Sequence, residues 1–357
     1  MSLEGITNFI HEWLNNHFNA TVALWVEFVI VGVAAILLFA VLGLFLVWME
    51  RKVAAVIQLR MGPNRLGPKG LFQTSADTLK LIMKEALTPD NADKFLFNTA
   101  PFIVIFVSML LLAPISFAKN FQIWDINIGV FYITAVSSLS VIAILMAGWS
   151  SGNKYSLLGA MRSGAQIVSY ELSAGLSMLT IVVLTESLKI SDIIASQQNG
   201  WWIFKGHIPA VIAFVIFIIA ATAETNRAPF DLAEAESELT AGFHTEYGGM
   251  KFALFFLAEY INIFIVCSVA ATLFLGGWMP LHIGNWTAFN HAMDYIPSSF
   301  WFLGKVLFLI FVIMWFRWTF PRLRVDQLLN LEWKFLLPIS MFNLLLMSVL
   351  ALLGWHF

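Results

Sequence analysis

Eight long apolar segments, separated by polar ones, dominate the hydrophobic pattern of the chain. About 20 apolar residues are needed to span a bilayer, and the shortest segment, the fifth, stops at Glu224. The segments lie at about 24–48, 97–117, 130–149, 163–185, 208–223, 250–275, 299–320 and 335–355. The pattern predicts an all-α fold, in which residues 1–357 form a single integral membrane domain with about eight transmembrane helices.

The composition supports this prediction. Of the 357 residues, 59% are hydrophobic and 12% are charged, with a mean hydropathy of +0.81, whereas soluble domains are about 45–50% apolar. A net charge of -2 gives no reason to expect nucleic-acid binding. One cysteine, Cys267, excludes an iron–sulfur cluster or an internal disulfide. The histidines lie in loops, helix ends or termini, which argues against a haem held inside the bilayer.

Basic residues are concentrated in alternate loops. The odd-numbered loops and the helix ends beside them hold sixteen of the 20 Lys and Arg residues, the even-numbered loops hold three, and Lys305 lies inside the seventh segment. Cytoplasmic loops are enriched in Lys and Arg. We therefore expect both termini on the outer side of the membrane. The predicted cytoplasmic loops lie at about 49–96, 150–162, 224–249 and 321–334.

The first of these loops is too long to be a simple connector. Between residues 62 and 70 it alternates Gly and Pro with basic side chains, which is typical of a folded surface loop. From Leu71 to Ala86 the pattern becomes that of an amphipathic helix at the membrane surface. Such a helix either anchors the loop in lipid or lines a site, and the sequence leaves both open. Its polar stripe consists of Gln73, Asp77, Lys80 and Lys84.

The stretch from residue 223 to residue 260 concentrates acidic side chains beside and inside apolar segments. Only Arg227 and Lys251 oppose them. Because a charge in hydrocarbon is unstable unless it is paired, hydrated or protonated, we interpret the stretch as part of an ion or proton route. Its seven carboxylates are Glu224, Asp231, Glu234, Glu236, Glu238, Glu246 and Glu259.

Glu171, in the fourth segment, adds a carboxylate about 12 Å from the cytoplasmic end, at a rise of 1.5 Å per residue. Glu259 reaches a similar depth in the sixth segment. Two carboxylates at one depth predict a hydrated funnel, although a structural carboxylate held by hydrogen bonds is the alternative for each. Lys305 either snorkels or pairs with a carboxylate, and we interpret His244 as a satisfied loop histidine rather than a titrating one. Polar residues at helical spacing in the fourth segment predict helix packing: Ser163, Gln166, Ser169, Tyr170, Ser173 and Ser177.

Three segments resemble one protein family: Glu50 to Glu85 (ERKVAAVIQLRMGPNRLGPKGLFQTSADTLKLIMKE), Ala223 to Tyr260, and Pro321 to Lys334 (PRLRVDQLLNLEWK). They are similar to signature regions of the H subunit of bacterial proton-pumping NADH:quinone oxidoreductase. The mitochondrial counterpart is subunit 1 of NADH dehydrogenase in respiratory complex I. The resemblance extends to the eight-segment plan and covers nearly the whole chain. Lys251 stands where many relatives carry arginine, which keeps the charge.

The resemblance implies that the cytoplasmic loops help to build a quinone-access chamber. It also implies that buried carboxylates pass the effect of quinone chemistry to proton-pumping subunits. The implied chamber residues are Arg51, Arg60, Asp77, Arg227, Arg317 and Arg322. The implied proton-coupling residues are Glu171, Glu224, Asp231, Glu234, Glu236, Glu238 and Glu259.

By the same resemblance the chain lies in the cell inner membrane and is active only within a translocase complex. We expect quinone as substrate, no cofactor or metal on this chain, and flavin and iron–sulfur clusters on subunits of the peripheral arm. The other expected partners are proton-pumping membrane subunits and lipid. One alternative is the related membrane subunit of an energy-converting hydrogenase, which binds no quinone. Another is a stand-alone cation–proton antiporter, which has little need of a long basic loop. The near-complete match of the signature runs favours the quinone enzyme.

Overall fold

The computed structural model describes residues 11–14, 16, 19–119, 121–232, 241–282 and 286–354. Within these ranges the chain is almost wholly helical, and eight helical stretches are long and apolar enough to cross a membrane. Two short strands, β1 (Ser116–Ala118) and β2 (Phe121–Gln122), pair antiparallel between two of these stretches. The predicted all-α membrane fold is confirmed.

The helices are joined mostly by short connections. In the first half of the chain they are α1 (Ala20–Ile57), α2 (Gln73–Met83), α3 (Lys94–Leu112), α4 (Gly129–Ser137), α5 (Leu139–Ser150) and α6 (Lys154–Thr185). In the second half they are α7 (Ile190–Ala195), α8 (Trp202–Lys205), α9 (His207–Glu224), α10 (Gly249–Phe274), α11 (Thr287–Asp294), α12 (Ser298–Thr319), α13 (Val325–Leu331) and α14 (Leu337–Leu352). The 3-10 turns are Pro68–Gly70 and Gly242–His244, and a π-helical turn, Glu332–Leu336, joins α13 to α14.

Several helices extend beyond the predicted apolar segments. Helix α1 continues to Ile57, α6 starts at Lys154, and the eighth spanning stretch starts at Val325 and includes α13. A helix satisfies its own backbone groups, so it can continue from lipid into the polar interface without losing hydrogen bonds. The predicted loops at 49–96, 150–162 and 321–334 are therefore shorter than expected, and Arg51 is helical. The amphipathic helix expected after residue 71 is α2.

Helix α6 packs against α5, α9 and α14. Gln166 on α6 donates from Nε2 to the carbonyl oxygens of Ala223 and Phe230, both at 2.7 Å. Hydrogen bonds of this kind hold helices together in lipid, where the hydrophobic effect between helices is absent. The predicted packing role of the polar stripe is confirmed, because all six of its members are buried: Ser163, Gln166, Ser169, Tyr170, Ser173 and Ser177.

Lys305 of α12 is buried at the end of the bundle where α10 stops. Its Nζ lies 2.6, 2.9 and 2.6 Å from the carbonyl oxygens of Leu275, Gly277 and Met279. It also lies 4.4 Å from the ring centroid of Trp201. An ammonium group has three N–H donors, so Lys305 satisfies carbonyls just beyond a helix end. Neither snorkelling nor pairing with a carboxylate, the two interpretations drawn from the sequence, describes this arrangement.

Lys305→Met is expected to lower the melting temperature of the detergent-solubilised complex. Three buried carbonyls would lose a charged donor, at a cost of about 3 kcal/mol or more. The matched control is Lys119→Met, because Lys119 is exposed and its backbone N–H lies 3.4 Å from Ser298 Oγ at the start of α12. Equal melting temperatures for the two variants would contradict the role assigned to Lys305.

Candidate functional site

Side chains from α1, α10, α12 and the segment after α9 meet in a buried charge cluster, which consists of Glu50, Arg227, Glu259, Tyr260 and Arg317. Arg227 Nη1 lies 3.3 Å from Glu50 Oε1, and Arg227 Nε lies 2.9 Å from Glu259 Oε1. Arg317 forms a second ion pair with Glu50. The guanidinium carbon of Arg227 lies 4.3 Å from the ring centroid of Tyr260.

The centre of the cluster is almost completely shielded from solvent. The side chains of Arg227 and Glu50 are 5% and 7% exposed. Taking such charges out of water costs several kcal/mol for each ion, and pairing offsets this cost only when the partners stay in place. Two arginines face two glutamates here, so the loss of one member leaves an uncompensated charge inside the protein.

A tight turn after α9 directs Arg227 into the cluster. Asn226 adopts a φ of 51°, a left-handed conformation that Asn tolerates better than most residues other than glycine. Its side-chain oxygen accepts from Ser163 Oγ on α6 at 3.3 Å, which fixes the turn against the bundle. The backbone N–H of Arg227 then bonds back to the carbonyl oxygen of Thr222 at 3.4 Å. Arg227 is consequently held at the end of α9 rather than carried by a free loop.

A second group of ion pairs includes one that links α2 to α1 and one within α2. Arg51 Nη1 donates to Asp77 Oδ2 at 2.5 Å, and Lys80 Nζ lies 3.5 Å from Asp77 Oδ1. Partial burial alone would raise the pKa of Asp77, but the hydrogen bond and charge of Arg51 hold that pKa below its usual range. Asp77 is therefore ionised near neutral pH and keeps the amphipathic helix in place.

Other implied residues lie outside the charge cluster. Arg322 Nη2 pairs with Asp231 Oδ2 at 2.8 Å. Arg60 is exposed and donates from Nε to Gln58 Oε1 at 2.7 Å, so the structure does not bring it to the other chamber residues. The remaining acidic residues of the implied set lie outside the described residues: Glu234, Glu236 and Glu238.

Two adjoining cavities connect the carboxylates that lie deeper in the bundle. The first, of about 50 Å³, is bordered by Glu259, Glu224 and Asn262. The second, of about 40 Å³, is bordered by Glu224, Asn262 and Glu171, and Ser137 Oγ donates to Glu171 Oε1 at 3.3 Å. Because Glu224 borders both cavities, Glu259, Glu224 and Glu171 form a carboxylate row that leads inward from the charge cluster. Asp231 borders neither cavity.

His244 borders the first cavity but brings no charge to it near neutral pH. Burial lowers the pKa of His244 to about 4, which argues against titration near neutral pH, and its ring packs against Phe243 and Phe252. An unfolded histidine binds its proton at about pH 6.5. Between pH 6.5 and 4 the unfolded chain therefore holds a proton that the folded chain lacks, and this residue contributes a loss of stability as the pH falls.

A third opening, the α1–α2–α10 cleft, is mainly apolar and has a volume of about 440 Å³. Its walls include Gly43 and Val47 of α1, Leu81 of α2 and Leu257 of α10. The Arg51–Asp77 pair lies among its lining residues. The cleft thus combines an apolar interior with a charged group, the combination that an amphipathic molecule with a long apolar tail requires.

Sequence reasoning missed Glu50 and Tyr260. Glu50 stands directly before Arg51 and Lys52, a position that indicates the polar edge of a surface loop, whereas the structure buries it on α1. The sequence offered one signal for Glu50: it is a single carboxylate that directly continues the first apolar segment. Tyr260 gave no signal of its own, because an aromatic residue in a membrane helix usually packs against lipid or other helices.

The fold and the charge cluster together define a polytopic membrane protein that maintains charged side chains between its helices. The family model described as NADH dehydrogenase matches residues 28–348. The chain belongs to this family, and the resemblance inferred from its three segments is confirmed.

Curated relatives match along nearly the whole chain. The NADH-quinone oxidoreductase H subunit of Bacteroides thetaiotaomicron is 57% identical over 352 residues, covering 99% of this chain and 98% of the relative. The protein of the same name from Carboxydothermus hydrogenoformans is 46% identical over 341 residues, covering 95% and 94%. That from Rickettsia rickettsii is 49% identical over 305 residues, covering 85% and 87%.

Proposed function

We propose that the chain is the membrane subunit of a proton-translocating NADH:quinone oxidoreductase that admits quinone and couples its reduction to proton movement. The observation that carries the proposal is the position of Arg227, which bridges Glu50 on α1 and Glu259 on α10. This bridge joins a side chain near the apolar cleft to the first member of the carboxylate row. The names of the relatives support the enzyme class.

The α1–α2–α10 cleft is the entry for the quinone. A quinone with a long isoprenoid tail needs an apolar passage from the bilayer, and the two spanning helices line this cleft mainly with apolar side chains, whereas the amphipathic helix contributes mostly polar ones. Of the two interpretations of α2, anchoring in lipid and lining a site, its position in the cleft wall favours the second. The quinone head is then reduced near the implied chamber residues at this end of the bundle, where partner subunits supply the electrons.

Gly43→Phe is expected to raise KM for a long-tailed quinone about tenfold, equivalent to about 1.4 kcal/mol of lost binding. A Cβ at Gly43 would lie 2.2 Å from Leu257 Cδ1 on the facing helix, so a bulky side chain must fill the cleft or push α10 aside. The measurement is quinone reductase activity in membranes. A short-tailed quinone should be affected less, because it does not occupy the whole passage.

Gly32→Phe is the matched control for this variant. Gly32 lies on the same helix, and no heavy atom lies within 4 Å of a Cβ built there. NADH oxidation by an artificial acceptor that bypasses the membrane subunits verifies assembly in both variants. If KM is the same in both variants, the cleft is not part of the route by which quinone enters the protein.

Coupling begins with the charge change of the substrate. Reduction of a quinone to a quinol takes up two electrons and two protons, so negative charge develops before the protons arrive. An arginine attracted towards that charge weakens its contact with Glu259, and a carboxylate left without its cation beside an apolar cavity binds a proton. The proton is then shared along the carboxylate row rather than owned by one residue. The loop of residues 224–246, which carries Arg227, is the two-state element, and residues 233–240 of it lie outside the described residues.

The remaining parts of the enzyme belong to partner subunits. Flavin and iron–sulfur clusters lie on the peripheral arm, which docks at the charge-cluster end of the bundle, and proton-pumping subunits receive the output of the carboxylate row. The charge-cluster end faces the cytoplasm and both termini lie outside, because basic residues are concentrated at this end. The family match favours this enzyme over an energy-converting hydrogenase or a stand-alone antiporter. Inhibition by a quinone-site ligand would distinguish it from the hydrogenase, and inactivity of the purified chain alone from the antiporter.

A further inference from the structure

Glu332 is a buried carboxylate outside the carboxylate row. It begins the π-helical turn between α13 and α14 and is 0% exposed. Its Oε2 lies 3.0 Å from Ser173 Oγ on α6. Among the described residues its Oε1 has no hydrogen-bond partner, and no cationic side chain in that part of the chain pairs with it. π-helical turns occur often at functional sites, so this carboxyl group requires an explanation.

The ionised form of Glu332 is unfavourable in this environment. An unpaired carboxylate loses its hydration on burial, and a buried acid without a counter-charge binds a proton instead. Tyr170 is the titratable side chain of α6 that faces Glu332, and its phenol donates to the carbonyl oxygen of Leu328 at 3.1 Å. The charged groups on its own helical stretch, Asp326 and Lys334, are exposed.

The hydrogen-bond geometry also accommodates one more proton. Ser173 Oγ lies within reach of two acceptors, the carbonyl oxygen of Tyr170 at 3.2 Å and Glu332 Oε2 at 3.0 Å, but a hydroxyl group has only one proton to donate. When Glu332 is protonated at Oε2, it donates to Ser173, and Ser173 donates to Tyr170. An ionised Glu332 would compete with the carbonyl for the single proton of Ser173.

We propose that Glu332 is a further proton-binding site, which holds a proton while the helical stretch from α13 to α14 packs on α6 and exchanges it when that contact opens. The contact has a second point, because Tyr170 Oη donates to the carbonyl oxygen of Leu328 at 3.1 Å. The stretch follows directly on the segment that carries Arg322, the partner of Asp231. Movement of this segment during quinone turnover depends on the proposed function, whereas protonation of Glu332 in the resting complex does not.

Infrared spectroscopy of the assembled complex in lipid vesicles tests the site. The carbonyl stretching band of a protonated carboxylic acid is separate from the bands of an ionised carboxylate. We expect Glu332→Gln to remove one such band from the resting complex. Ser173→Ala should shift the band to higher frequency, because the acid loses its acceptor. Asp326→Asn, which alters an exposed acid six residues earlier, should leave the band unchanged.

Exchange into heavy water tests the opening of the contact. The band should shift slowly in the resting complex and faster during NADH oxidation with quinone, and a quinone-site inhibitor should restore the slow rate. If Glu332→Gln does not assemble, the shift in Ser173→Ala decides whether the acid is present. A resting spectrum without the band, or without a shift in Ser173→Ala, overturns the site and leaves the proposed function untouched. Exchange that turnover does not accelerate overturns the opening step.

Discussion

Arg227→Met is expected to abolish most quinone reductase activity in a complex that still assembles. The side chain of Arg227 bridges two carboxylates from different helices and is 5% exposed. Breaking a buried ion pair by removing one partner costs about 3–5 kcal/mol. If only about 1.4 kcal/mol of this cost is added to the activation free energy of quinone reduction, the rate drops about tenfold. The measurement is NADH:quinone reductase activity in membranes, normalised to NADH oxidation by an artificial acceptor on the peripheral arm.

Two further variants make this expectation specific. Arg65→Met removes an exposed arginine of the first loop and should retain full activity. Glu259→Gln added to Arg227→Met neutralises the carboxylate that loses its ion pair with Arg227, whereas Glu50 keeps its ion pair with Arg317. The double variant should therefore be more stable than Arg227→Met alone, as a double-mutant cycle would reveal. Additive losses of stability would mean that Arg227 and Glu259 do not interact in the assembled complex.

The helical plan was predictable because a bilayer restricts the options of the chain. Spanning segments must be helices or closed barrels, and only helices give continuous apolar runs of about 20 residues. The ends of the helices were not predictable in the same way. At the interface a polar residue is tolerated in a helix and in a loop alike, so Arg51 could belong to either. The structure resolves this choice by extending α1 to Ile57.

The pairings of the candidate site were largely beyond sequence reasoning. Glu50 lies 177 positions from Arg227 and 267 positions from Arg317, and only the packing of α1, α9 and α12 brings these side chains together. The acidic composition of residues 223–260 marked the region without showing which carboxylate faces which arginine. Asp231 and Glu259 illustrate the difference, since one pairs with Arg322 and the other with Arg227.

Glu224→Gln is expected to lower the number of protons translocated per quinone reduced while leaving most of the quinone reduction intact. Glu224 borders both inner cavities, so a proton that travels along the carboxylate row passes this position. Glutamine keeps the shape and polarity of the side chain but cannot bind and release a proton. The measurement is the ratio of proton uptake to NADH oxidation in vesicles that contain the assembled complex.

The comparison of three variants locates the route. Glu171→Gln should lower the same ratio, because Glu171 borders the second cavity. Glu186→Gln is the matched control, since Glu186 is an exposed residue that follows the last turn of the same helix, α6. A normal ratio in Glu224→Gln together with a low ratio in Glu171→Gln would mean that protons reach Glu171 by another path. A normal ratio in both variants would mean that the charge cluster affects the proton-pumping subunits through conformational change alone. No proton would then need to pass between Glu259 and the interior of the bundle.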